Sequence, residues 1–482
     1  MAPLPLINPP LQDSDFTLDI SGVAGLFGGD EVVEATSSLH LYKGRKYRGW
    51  YNSPGAYVVA KYFGRIADSR FWRGVFPGEW QDPADAFSLD GKKGPKYQAV
   101  LSGTQMITGH TGYLLGKFIR EQPGKDLREA NQRTTEPTGV TIVDIKSVKN
   151  LDNLFVPSSL LQLLVGYFTI FSSFAAAIIS LILFDDRICF AAIVIGTMIG
   201  GISSLVIGTG NLTLHTVYTP APGSPPGDGI LIDKEVIILR GSEAHVNAIT
   251  KGRFVLDLIG KPKYHIIGVC AALYFAQFIA QLFLIPLGSL GGQIMFLASF
   301  AVAYVNNSLL ASIDRDAIQT RLLLQSVDLK YSKFKVPNRT MATIFACLAL
   351  KRSKTEINEC PAYADYRPEE MLRSLLPNDT TVWNTWREVV LDVLHGRKSE
   401  AYFADALNDP RLADLRTDQR NLLRTLLLDA RAGYIKYQEF AKGTIDGELN
   451  FLPLPSTITQ GIHIFAEQCV VSSSQSFSDE KA

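Results

Sequence analysis

The chain has 482 residues, with 47 basic and 47 acidic side chains, so its formal net charge is zero and no global field points to nucleic acid. Mean hydropathy is only +0.10, because the apolar residues are concentrated in the middle of the chain. The five cysteines, Cys189, Cys270, Cys347, Cys360 and Cys469, are scattered, with no CxxC and no metal-ligand spacing, which argues against a disulfide framework and a zinc site.

Residues 1–156 read as a polar N-terminal region of mixed helix and short strand, interrupted by Pro54, Pro77, Pro83 and Pro95. Its opening, MAPLPLINPPLQDSD, has no basic n-region and no apolar h-region, so no secretory signal is expected there. Lys43, Arg45, Lys46 and Arg48 are mixed with Tyr42, Tyr47, Trp50 and Tyr51. That mixture suits either a solvated strand or loop face or an anionic lipid surface.

Four stretches without Asp, Glu, Lys or Arg follow: Ser158–Phe184, Ile188–Gly208, Ile266–Leu287 and Ser289–Ser312. An apolar helix of about 20 residues crosses a bilayer core. The expected fold class is therefore mainly α, a polytopic membrane protein with a four-helix transmembrane bundle and α-rich cytoplasmic flanking regions. Transmembrane helices 1 and 2 fall within 157–210 and helices 3 and 4 within 265–313. Residues 211–264 form a loop, 314–470 a helical C-terminal region, and 471–482 a serine-rich disordered tail.

Lys146 and Lys149 precede the first span, Lys251, Arg253, Lys261 and Lys263 precede the third, and Arg315 and Arg321 follow the fourth. The other two connectors carry only Asp185, Asp186 and Arg187, or no charge at all. By the positive-inside rule both termini and the middle loop are expected in the cytoplasm. The sequons at Asn211, Asn306, Asn338 and Asn378 are then unused.

Small residues recur every four positions in the spans, as Gly196, Gly200, Ser204 and Gly208 in span 2 and Gly268 and Ala272 in span 3. Such stripes let backbones approach closely, either within the bundle or, for span 2, across a homodimer. Ile199 is expected on the lipid face. Gln277, Gln281 and Asn307 are the intramembrane polar residues, suited to interhelical hydrogen bonds or to a polar path. Pro286 and Gly288–Gly292 suggest a helical hairpin of spans 3 and 4.

In the middle loop, Thr209–Gly229 is expected to be an irregular linker, Gly229–Leu239 a candidate hairpin, and Ser242 the cap of a short helix through the lone His245. Span 4 is expected to continue through Asp314–Gln325. Thr340–Arg352 reads as a short amphipathic helix, lying on the membrane or packed in a core. Further helices are expected from Pro368 to Leu376, over Thr380–His395 and over Asp418–Gln438.

No phosphate loop, HExxH, GxSxG or dinucleotide GxGxxG occurs, so no catalytic residue, cofactor or metal is assigned. Asp185–Asp186 reads as a charged helix cap rather than a metal pair. The blocks GSEAHVNAITKGRF (Gly241–Phe254) and GQIMFLASFAVAYVNNSLLASIDRD (Gly292–Asp316) resemble a group of uncharacterised multi-pass membrane proteins from fungi, and the resemblance implies no activity. The expected function is a non-enzymatic membrane scaffold or adaptor; the alternative is an oligomeric transporter or channel built from four-span units. The lipid bilayer, cytoplasmic proteins and further copies of the chain are the expected partners. An apolar bundle interior favours the scaffold, and a polar cavity lined by the intramembrane amides favours transport.

Overall fold

The computed structural model describes residues 27–67, 69–128, 133–149, 154–216, 219–257, 263–406 and 415–443. The Pro-rich start, Lys261 and the serine-rich tail lie outside them. In chain order the main helices are α1 (Gly29–Thr36), α2 (Ala56–Ile66), α3 (Arg70–Val75), α4 (His110–Glu121), α5 (Leu160–Phe184), α6 (Arg187–Ile207), α7 (Glu243–Thr250), α8 (Lys263–Leu284), α9 (Leu290–Ala311), α10 (Arg315–Ser326), α11 (Arg339–Leu350), α12 (Pro368–Leu375), α13 (Thr381–Leu394) and α14 (Thr417–Ala441). The strands are β1 (Lys96–Ala99), β2 (Gln105–Ile107), β3 (Lys125–Asp126), β4 (Thr138–Val148), β5 (Asn211–His215), β6 (Gly229–Ile232), β7 (Val236–Arg240), β8 (Arg253–Asp257) and β9 (Val327–Val336).

The protein is mostly helical, and α5, α6, α8 and α9 supply four segments long and apolar enough to cross a membrane: Leu160–Phe184, Arg187–Ile207, His265–Leu287 and Leu290–Ala311. Three of them begin on side chains that take up free helix amides. Ser159 and Gln162 form a reciprocal capping box, Asp186 accepts from the Ile188 and Cys189 amides, and Ser289 accepts from Gly292. Span 4 does not run on through Asp314–Gln325 as the sequence suggests. Asp314 takes an extended conformation, accepts the Ala317 amide at 3.0 Å and starts α10 as a separate helix.

The flanking regions hold more strand than their composition suggests. Seven strands form one sheet in the order β2-β1-β6-β7-β4-β9-β3, while β5 and β8 pair separately. Strand β4 runs parallel to β7 and antiparallel to β9, from Thr138↔Val336 to Val148↔Val327. Side chains alternate across the sheet. Val143, Ile145, Ile237, Leu239, Leu329 and Tyr331 join a core shared with α2, α4 and the ends of spans 2 and 3. Val140, Ile142, Val236, Ile238, Phe334 and Val336 join a second core with α11 to α14. Burial on both faces explains the continuous apolar runs in β6 and β7.

Helix α11 settles the choice left open for Thr340–Arg352: residues 340–350 are all buried, so it is a core helix and not a surface one. The polar regions before span 1, between spans 2 and 3 and after span 4 all contribute strands to the one sheet, which therefore sits at one end of the bundle. The connectors at Asp185–Asp186 and Gly288–Ser289 lie together at the other end, where Asp186 also accepts the Ser289 amide at 2.7 Å and its hydroxyl at 3.0 Å.

Candidate functional site

Residues Arg45–Arg48 form one 3₁₀ turn, and Gly49–Gly55 has no regular structure. This irregular segment enters the bundle. The Asn52 amide donates to Ser173 Oγ of span 1 (3.2 Å), and its Nδ2 donates to Ser299 Oγ of span 4 (2.9 Å). Its Oδ1 faces Gly196 of span 2, where a Cβ would lie only 2.1 Å away, and Gln277 Nε2 of span 3 flanks the same point at 3.1 Å. Ser173, Gly196, Gln277 and Ser299 all lie near the middle of their segments. Asn52 thus reaches the centre of the bundle.

The span 2 stripe receives this segment. A Cβ on Gly200 would meet the Tyr51 and Gly49 carbonyl oxygens, and the Trp50 ring lies on Gly201. Gly49 abuts Ser204, and Lys46 covers Gly208. The close approach that the spacing suggested between helices is made here to irregular backbone, which can come nearer than a helix because it carries no cylinder of side chains. In span 3, Gly268 faces the Trp72 ring of α3, and Ala272 is half-buried. Ile199 does not face outward as expected; it is 7% exposed, whereas Ile195 is 42% exposed.

The amides expected within the membrane lie in the interior of the bundle but do not bond as expected. Among the described residues neither polar atom of the Gln277 or Gln281 side chain has a hydrogen-bond partner, although both residues are buried. Asn307 Oδ1 accepts from the Tyr51 hydroxyl at 2.6 Å, while its Nδ2 has no partner. Asn52 Oδ1, Ser53 Oγ and Asn306 Nδ2 are likewise unpartnered among the described residues, while the Ser203 hydroxyl lies beside Cys270 and Tyr274.

Arg45 and Arg48 are neither solvated nor spread on a lipid surface; they are 5% and 3% exposed. Arg48 donates to Ser158 Oγ (2.6 Å) and the Gln162 carbonyl (3.4 Å). Arg45 donates to the Arg48 carbonyl (2.7 Å) and to the Tyr51 hydroxyl (3.4 Å). Among the described residues neither has a carboxylate within ion-pair distance. Beside Arg45 lies a cavity of about 30 Å³ lined by Tyr51, Ser53, Ser203, Tyr274 and Asn307.

Outside the bundle, the cations lining one cleft and those beside Asp316 have partners. A cleft of about 560 Å³ between β7, α11 and α14 is lined by Arg240, Lys351 and Arg352. Arg352 pairs with Asp228 and Glu356, Arg240 donates to the Ala349 carbonyl, and Lys351 donates to that of Leu394. Asp316 of α10 binds Lys92 (2.6 Å), Lys117 (3.2 Å) and the Tyr113 hydroxyl (3.1 Å), tying the N-terminal region to the end of span 4. Burial pushes the Asp316 carboxyl up, but the hydrogen bond and charge of Lys92, with Lys117, hold it below the usual carboxylate range. No group of His, Cys, Asp and Glu among the described residues is arranged to hold a metal ion.

Sequence reasoning missed Arg45, Asn52, Ser53, Ser173, Ser203 and Ser299 as members of this centre. The available signal was YNSPG, a turn-forming sequence next to basic and aromatic residues. Comparison with known protein families, curated proteins and solved structures finds no match.

Proposed function

We propose that the four-span unit translocates small solutes across a membrane, with residues 49–53 as the element that closes the path. One observation carries this reading: irregular backbone reaches the middle of four apolar spans and is ringed by polar groups without partners. Non-helical backbone at membrane depth is tolerated where protein buries it or where it lines a water-filled cavity. Buried amides without partners are costly, so Gln277 and Gln281 call for water or a solute beside them. The one-sided basic flanks support a cytoplasmic position for the sheet.

A second reading, a membrane scaffold or adaptor, is favoured by the large sheet domain at one end of the bundle, which offers surface to cytoplasmic proteins. Solute flux in reconstituted vesicles separates the two. Trp50→Ala removes the ring seated on Gly201 and should raise flux. Gln277→Leu with Gln281→Leu should abolish it while the melting temperature holds. Wild-type and Trp50→Ala vesicles no leakier than protein-free ones would sink the transport reading and leave the scaffold.

A further inference from the structure

We propose that the cavity beside Arg45 is a binding site for one small monovalent anion of the halide class. A guanidinium carries a delocalised positive charge and offers only donors. A buried charge without a partner costs several kcal/mol. Among the described residues the two hydrogen bonds of Arg45 go to a carbonyl and a hydroxyl, neither of which cancels its charge. Of the three carboxylates of α1, Glu34 pairs with Arg315, Glu31 accepts from the Tyr304 hydroxyl and Asp30 is exposed. Arg48, three residues along the chain and also buried, adds positive charge.

The remaining polar lining supplies donors. Asn307 is fully buried; its Oδ1 is occupied by the Tyr51 hydroxyl, and its Nδ2 is left without a partner. Ser53, 3% exposed, has a hydroxyl without a partner among the described residues. Unused N–H and O–H groups around an uncompensated guanidinium are what an anion requires. The cavity of about 30 Å³ admits one monatomic ion or a water and is too small for a carboxylate or phosphate ligand. Val32, Leu39, Phe63 and Ile207 complete its wall and keep the local dielectric low, which strengthens the attraction.

As a substrate assignment the proposal rests on the transport reading; as a binding site it does not. The test is equilibrium dialysis of radioactive chloride against the full chain in detergent, at constant ionic strength with gluconate as the balancing anion. Saturable binding near one ion per chain, displaced by bromide and not by gluconate, is expected. Asn307→Asp keeps the acceptor for Tyr51, replaces the unused amide by a negative oxygen and should weaken binding by about tenfold or more. Ser53→Ala, which removes one donor and little volume, should weaken it less. Absence of saturable binding to the wild type overturns the site, which then holds water, and so does binding unchanged in both folded variants. Should Asn307→Asp fail to fold, wild-type stoichiometry and Ser53→Ala still decide. Chloride that binds but does not cross vesicles containing the wild type or Trp50→Ala upholds the site and removes the transport role; flux without saturable binding does the reverse.

Discussion

A Cβ on Gly200 would lie 2.9 Å from the Tyr51 carbonyl oxygen and 3.0 Å from that of Gly49, and backbone on that side cannot swing away as a side chain can. Gly200→Leu should therefore destabilise the protein in detergent by about 1–3 kcal/mol or displace the 49–53 segment. Ile195→Leu, on an outward position, should be nearly silent. Equal melting temperatures for the two would refute the packing described here. His40 and His110 give a residue-scale pH effect. Both are buried, and desolvation lowers each pKa from 6.5 to about 4, against the raising influence of the Gly210 carbonyl on His40 and of Asp316 on His110. Both are neutral when folded, so their contribution is complete above about pH 6.5. It is lost as pH falls from there towards about 4, because only the unfolded chain takes up protons, at about 1.4 kcal/mol per pH unit per histidine. Melting curves from pH 8 to 4.5 should show that onset. His40→Asn, which can still donate to Gly210, should flatten the slope.

Among elements, the two helical hairpins are joined at their far end by one carboxylate. Asp186 caps span 2 through Oδ1 and holds Ser289 at the start of span 4 through Oδ2. Gly288 and Gly292 permit this approach, since a Cβ on either would lie within 2.8 Å of Asp186 Oδ2. Asp186→Ala strands several donors at once and should cost about 1–3 kcal/mol, seen as a lower melting temperature with the tertiary signal broadened. A melting temperature unchanged from wild type would mean that hairpin packing alone sets this end. The 49–53 segment has a different character: it is irregular yet mostly buried, and it bonds to spans 1 and 4 at their middle.

For the whole molecule, the sheet fixes the spacing of the spans. Strand β4 leads into span 1, β9 follows span 4 through α10, and the two pair along nearly their full length. The polar regions must then lie on one side of any membrane the spans cross. Single cysteines at Ser102, Lys234 and Asn421 should react with an impermeant maleimide from the same side in sealed vesicles, and one at Asp185 from the other. Labelling of Asp185Cys together with the other three would show that the spans do not cross as pairs.

The four long apolar helices were legible in the sequence, because about 20 uncharged apolar residues in a row have few other places to go, and so were the charged cap at Asp185–Asp186 and the turn at Pro286 and Gly288–Gly292, where local chemistry decides. The sequence also showed that span 2 needs close approach along Gly196, Gly200 and Ser204. What approaches was settled only by tertiary structure. A stripe of small residues records a need for room, not the identity of its neighbour, and Tyr51–Ser53 lies more than 100 residues away in the chain. The sheet was hidden for a related reason: β4 and β9 are nearly 200 residues apart, and pairing between distant strands leaves no local signature beyond alternation. Arg45 reads as a surface residue in any local window; only the spans that close around it make it a buried charge.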